Sequence, residues 1–367
     1  MNLIVMLDLQ DVISRGGRDV ISRHQLYADE LSEVTQGKMS LKILTSRDPK
    51  DFSTQEKSLF LSLKPKFRLP GAKIVALREF VRNNQDVKLI VAGDVFKSGW
   101  QAFCSQLFLL NKRPIQYQVH ADIGAKGWGS SGFNQRLKYL VALLVLKNSK
   151  FVRAVSKRQA LNLRKFVNSQ TVVSVVPVPL NLPVTARSNF DAHETFAIGI
   201  LGRVQSDRGL SKLEDFAKEA VNRGLHIKFV CAGMGSEDSS YRRIQSQVSS
   251  VAQIENLGIL PVSKLHEFWN QVDCLLSLAP FESYGRSMRE AISVGVRVIS
   301  TPNSGALDLI EEVGPNWVSL WTPGNGDSAG VIIEKINNYP KESNPPIEFS
   351  NKSNVQQLIE SWLRSIY

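Results

Sequence analysis

The chain has 367 residues, 43% of them hydrophobic and 22% charged, which suits two packed domains and excludes a disordered, collagenous or membrane-spanning protein. Its three cysteines, Cys104, Cys231 and Cys274, are odd in number and lack metal-ligand spacing, so they read as reduced thiols in a cytoplasm. The net charge of +11 is uneven: residues 1–180 hold 28 Lys and Arg against 13 Asp and Glu, the remainder 17 against 21, so the first half is expected to face something anionic.

In chain order, the opening MNLIVMLDLQD has no basic leader and meets an acid at Asp8, so it reads as a buried strand rather than a signal peptide. Short apolar runs then alternate with helical patterns. Strands are expected at 3–6, 41–44, 88–92, 115–119, 151–155 and 172–176, with helices at 19–33, 73–83 and 133–147 between them. The proline-rich stretch Pro177-Val-Pro-Leu-Asn-Leu-Pro183 can continue neither a helix nor a central strand and reads as a hinge. A second series follows, with strands at 197–201, 227–232, 254–257, 274–277, 297–300 and 317–320, and residues 354–366 close the chain as an amphipathic helix. The fold class expected is α/β: two doubly wound domains facing a central cleft. Their bounds are residues 1–178 and 184–350. Residues 351–367 form a closing helix that packs back on the first domain.

Four segments carry chemistry. In Pro280-Phe-Glu-Ser-Tyr-Gly-Arg-Ser-Met-Arg-Glu-Ala-Ile-Ser-Val-Gly295 a strand ends in a loop bearing Glu282 and Gly285, and a helix starts near Arg286. Open α/β sheets bind ligands at such places, because unpaired N–H groups there favour anions. Glu282 and Glu290 stand eight residues apart, about two helical turns. In Ile198-Gly-Ile-Leu-Gly-Arg-Val-Gln-Ser-Asp-Arg-Gly-Leu210 a strand ends at Gly202 with Arg203 and Arg208 beyond it, two cations able to steady a negative charge without a metal. Gly16 and Gly17 follow the first strand. His120 ends the strand 115–119 and leads into a glycine-rich loop bearing Lys126 and Trp128.

Together these segments resemble the retaining B-type glycosyltransferases of the group 1, or family 4, type. The string from Glu282 to Glu290 is similar to their E-x7-E signature, and Gly202 to Gly209 to their G-R-x-x-x-x-K-G element, with Arg208 where lysine is usual. The resemblance covers nearly the whole chain, is densest from about 197 to 310, and implies a GT-B fold of two Rossmann-like domains. It implies that Arg203 and Arg208 grip the donor diphosphate, Glu290 the ribose, and Glu282 the sugar hydroxyls, while Ser283, Tyr284, Gly285 and Arg286 meet phosphate or sugar. Gly16 and Gly17 would pass close to the donor, Leu260 in Asn256-Leu-Gly-Ile-Leu-Pro-Val262 would lie by the nucleobase, and His120 would reach the donor sugar. Lys126 and Trp128 would serve the acceptor. Segments 229–235 and 154–157 also fit the pattern, chiefly as scaffold, with Ser156 near the cleft.

The activity implied is transfer of a sugar, with retention, from a nucleotide sugar, UDP-sugar first, to a glycan or lipid-linked glycan in polysaccharide or glycolipid biosynthesis. No cofactor or metal is expected. Departures from the pattern are Ser283 and Arg286, Arg297 where proline is frequent, and Asn303 where glycine is usual. The alternatives are a nucleotide-sugar epimerase of the same fold and a non-catalytic scaffold protein. A dehydrogenase would need a G-x-G-x-x-G after a strand, and nucleic acid is not expected as a partner. The stretch from Leu59 to Pro70 mixes apolar side chains with Lys64, Lys66 and Arg68, ahead of Lys73, Arg78 and Arg82. Two readings of it stand open: a patch that docks a cytoplasmic, peripheral enzyme on an anionic membrane or on its acceptor, and an ordinary solvated helix beside a core-packed loop.

Overall fold

The computed structural model describes residues 1–53, 56–65, 71–107, 109–130, 132–180, 195–202, 208–233, 239–339, 347 and 349–367, without the side chains of 17–19, 49 and 240. It divides into two compact units, residues 1–177 with 351–367, and residues 178–350.

The first unit is a seven-stranded sheet in the order β3-β2-β1-β4-β5-β6-β7, parallel throughout. Its elements are β1 (Asn2–Asp8), α1 (Gly17–Val34), β2 (Met39–Thr45), β3 (Phe60–Ser62), α2 (Ala72–Asn83), β4 (Val87–Ala92), α3 (Lys97–Gln106), β5 (Ile115–Val119), α4 (Phe133–Lys147), β6 (Phe151–Ala154), α5 (Lys157–Leu163) and β7 (Val172–Val175). In β1 the consecutive residues Ile4, Val5, Met6 and Leu7 are all buried, as a strand covered on both faces requires. The order reverses between β1 and β4, where a doubly wound sheet opens a crevice at its carboxyl ends. The closing helix Asn351–Arg364 buries Val355, Leu358, Ile359 and Trp362 on one stripe, and Trp362 meets Tyr27 of α1 edge-on at 6.2 Å. From β5, the Gln116 amide donates to the carbonyl of Ser361 (3.1 Å) and the hydroxyl of Ser365 (3.1 Å).

Strand β3 corrects the docking patch expected at Leu59–Pro70. Phe60 pairs with Ile43 of β2, and Leu59, Phe60 and Leu63 are buried in the core, so their apolar surface is already spent. Lys73 donates to the carbonyl of Leu9 and Arg78 to those of Cys104 and Ser105, so these cations turn inward. Lys66 and Arg68 lie outside the described residues, whereas Lys64 and Arg82 are exposed.

The second unit is a six-stranded parallel sheet in the order β10-β9-β8-β11-β12-β13. Its elements are β8 (Phe196–Leu201), α6 (Leu213–Val221), β9 (Ile227–Ala232), α7 (Ser239–Val248), β10 (Gln253–Asn256), α8 (Leu265–Trp269), β11 (Cys274–Ser277), α9 (Arg286–Ser293), β12 (Arg297–Ser300), α10 (Ser304–Val313), β13 (Val318–Leu320) and α11 (Ala329–Asn338); the closing helix is α12. Its order reverses between β8 and β11. At the opposite, amino-terminal end of β12, Arg297 is buried between the rings of Trp317 (5.1 Å) and Tyr339 (4.9 Å) and donates to the carbonyl of Asn316, a scaffold role. No helix of the described residues is long and apolar enough to cross a membrane.

Candidate active site

In the second unit, the strand-order reversal brings the loops after β8 and β11 side by side. Gly209 is left-handed (φ 69°), and a Cβ there would lie 1.9 Å from the carbonyl oxygen of Leu278, beyond the end of β11. Only glycine allows that approach. It carries Arg208 onto the β11–α9 loop, where its Nη1 donates to Oε2 of Glu282 at 2.9 Å. The other oxygen of Glu282 accepts from the amide of Gly285 (3.2 Å), the left-handed residue that opens α9. One turn on, Arg286 Nε donates to Oε1 of Glu290 at 3.2 Å, and Glu290 is buried although Arg286 is half exposed. Arg208, Glu282, Gly285, Arg286 and Glu290 therefore form one alternating charge cluster at the N-terminus of α9. Arg203 falls among the residues not described.

This loop is braced from three sides. Arg289, 1% exposed, donates to the carbonyl of Tyr284 and to Glu312 (2.7 Å), and its guanidinium lies 4.0 Å over the Tyr284 ring. Gly305 donates to the carbonyl of Glu282 at 2.6 Å, and a Cβ on it would sit 2.8 Å from the Tyr284 backbone, so α10 abuts the loop. Asn303 caps α10 by accepting from Ala306 and donates to the carbonyl of Ala279 (2.9 Å). Asn303 is thus a fastener between β11 and α10. Ser283 and Tyr284 are buried, so the tyrosine ring packs inward under the Arg289 guanidinium.

Three more glycines line the same edge. Gly202, Gly233 and Gly258 end β8, β9 and β10 with φ of 133°, 89° and 71°, and Gly233 donates to the carbonyl of Gly258 (2.7 Å). Beside them Leu260 is half-buried and packs on the core, whereas Ile259 is 78% exposed. Sequence reasoning names Leu260 here, and it assigns no role to Gly209 or Arg289, which position the loop. Arg289 has a readable signal, since it falls between Met288 and Ala291 on the apolar side of α9.

In the first unit, the carboxylate of Asp8 at the end of β1 accepts from the amides of Ile13 (3.0 Å) and Ser14 (2.8 Å). Desolvation raises its pKa against the lowering pull of those bonds. Asp11 accepts from Thr45 (2.7 Å) and Ser46 (3.0 Å) of the β2 end; burial alone would raise its pKa, but these bonds lower it. Gly16 is needed for space and not for a positive φ: at φ −75° its Cβ would lie 2.8 Å from Val20 and 2.9 Å from the Val12 carbonyl. Gly17 opens α1.

His120 follows β5. Desolvation by surrounding protein, then the cations Arg153 and Arg23, lower its pKa to about 3. His120 is nonetheless exposed to solvent. His120 is neutral at pH 7. Arg153 is itself fixed by the carbonyls of Val176 (3.1 Å) and Pro177 (2.9 Å). Ser156 caps α5 and is buried, and Gln159 ties the Ala121 carbonyl (2.9 Å) to that cap. Lys126 is exposed, but Trp128 is buried, stacked on Phe96 at 5.6 Å and against Tyr139. An acceptor contact from the Trp128 ring does not fit this packing; the ring anchors its loop.

Two parallel, doubly wound units, the second with a charge cluster at its strand-order reversal, define the GT-B fold of glycosyltransferases. Residues 186–345 match the family described as glycosyl transferases group 1, so the second unit is a domain of that family. The capsular polysaccharide biosynthesis glycosyltransferase CapM of Staphylococcus aureus is 27% identical over 144 residues, which are 39% of this chain and only 34% of that relative's length. Among solved structures, sucrose-phosphate synthase of Thermosynechococcus elongatus aligns with a TM-score of 0.70 at 16% identity, covering 100% of this chain and 96% of that one. HepE of Anabaena in complex with UDP and glucose aligns with a TM-score of 0.66 at 16% identity, covering 99% and 96%. These likenesses establish the fold.

Proposed function

We propose that the chain transfers a sugar, with retention of configuration, from a nucleoside diphosphate sugar to a hydroxyl of a glycan or lipid-linked glycan in polysaccharide or glycolipid synthesis at the cytoplasmic face of a membrane. The observation that carries this reading is the Arg208–Glu282 pair at the reversal of the second sheet. Breaking the bond between sugar and diphosphate loads negative charge on the departing phosphate, and a fixed guanidinium beside a helix N-terminus stabilises that charge. Arg208 is 41% exposed and so can turn to an arriving phosphate, while Glu282 is left to accept from sugar hydroxyls. Glu290 accepts from the ribose, Ile259 and Leu260 flank the base, and Arg203 joins Arg208 on the diphosphate in place of a metal. UDP is the first choice of nucleotide, supported by the HepE complex, which contains UDP and glucose.

A neutral His120 can orient the sugar and accept hydrogen bonds, but it is no nucleophile here. In place of the nucleophilic carboxylate that a retaining hydrolase uses, the departing phosphate takes the acceptor's proton on the same face. An α-linked donor then gives an α-linked product. Incubation with α-linked UDP-, GDP-, ADP- and TDP-sugars and soluble glycan acceptors tests this, with the product's anomeric coupling read by NMR. An α product is expected, and a β product would overturn the mechanism.

A further inference from the structure

Helix α4, FNQRLKYLVALLVLK, contains no acid and is apolar on two sides. One side is ordinary: Ala142, Val145 and Leu146 are buried. The other faces water. Phe133, Leu137, Leu140 and Leu144, at spacings of four, three and four, stand on one stripe and are 81%, 54%, 62% and 45% exposed. Helices of soluble domains turn their apolar stripe inward, and a second stripe outward marks contact with something apolar.

Charge says what that is. Arg136 and Lys147, both exposed, fall along one margin of the stripe by their helical positions. Along the sequence on either side of α4, residues 95–180 hold thirteen Lys and Arg, of which Arg153 is buried, and a single acid, Asp122, which is buried too. A second copy of this chain would set two such basic faces against each other, which like charge opposes. An anionic surface with an apolar interior accepts both the stripe and the cations around it.

We propose that α4 is a membrane-docking face, lying in the plane of an anionic leaflet with Phe133, Leu137, Leu140 and Leu144 in the headgroup–acyl boundary. This inference concerns where the protein sits and stands whether or not the proposed transfer is correct.

Flotation of the full chain with phosphatidylcholine vesicles, with and without phosphatidylglycerol, tests it. The wild type is expected to float with the anionic vesicles, to be released by high salt, and to ignore the neutral ones. Leu137→Gln/Leu140→Gln/Leu144→Gln should weaken binding about tenfold or more, and Arg136→Gln/Lys147→Gln about fivefold for each charge removed. All five side chains are exposed, so melting temperatures should hold and a loss would not reflect unfolding. Absence of the wild type from anionic vesicles, or binding equal to wild type in the triple variant, would overturn the proposal. So would a monomer–dimer equilibrium by sedimentation that the triple variant abolishes, because a second copy would then cover the face.

Discussion

The guanidinium of Arg208 and the carboxylate of Glu282 are 41% and 21% exposed, and a pair so open to water contributes no more than about 1 kcal/mol to stability. Such a pair is easily exchanged for a ligand, and this separates it from Arg289, whose buried contacts fix the same loop. A second residue-scale consequence concerns acid. His24 is buried in α1, its Nδ1 donating to the Val20 carbonyl at 2.7 Å, and burial lowers its pKa to about 4. Above pH 6.5 it is neutral whether folded or unfolded and has no effect. As pH falls from 6.5 toward 4, the unfolded chain takes up a proton that the folded chain refuses, so stability drops by up to about 3 kcal/mol. Thermal melts between pH 7 and 4 should show that loss, with a shallower slope in His24→Gln. Equal slopes would refute the assignment.

At the scale of elements, two joints hold the architecture. Gly209→Ala would place a Cβ against the Leu278 carbonyl at a left-handed φ. The conformation alone costs about 1–2 kcal/mol, and relief of the clash must move Arg208. A lowered melting temperature together with weaker nucleotide binding is expected. In the first unit, Trp362→Ala should destabilise by about 3–5 kcal/mol, measured by urea unfolding, because the ring is fully buried. These joints also show what the sequence discloses. Strands such as β5, β9, β11 and β12 were legible to the residue, because apolar runs between turn signals leave little choice. Phe60 was not, since an apolar run beside lysines reads equally as a surface patch or an edge strand, and only its pairing with Ile43 decides. The bounds of α4 were legible but its outward stripe was not, because periodicity names an apolar side without saying what covers it. Glu282 and Arg208 could be marked from motif position and Arg289 from its place on the apolar side of α9; the need for glycine at 209 depends on the Leu278 carbonyl that lies against it.

Across the whole molecule, charge and chemistry divide by unit. The first half has an excess of 15 basic residues and the remainder an excess of four acids, yet the second unit carries the group 1 glycosyltransferase match and the cluster at α9. With that overall acidity, the proposed donor diphosphate would have to be held by a few fixed cations and the helix N-terminus, not by a general positive field. The central claim is therefore concentrated in one side chain. The measurement that tests it most directly is calorimetric titration of UDP, GDP, ADP and TDP into the wild type and into Arg208→Ala. One nucleotide should bind the wild type, with affinity falling about tenfold or more in the variant, the loss of a charge-assisted contact to phosphate. Undiminished binding in Arg208→Ala, or no binding of any of the four to the wild type, would contradict the assignment of this crevice as the donor site.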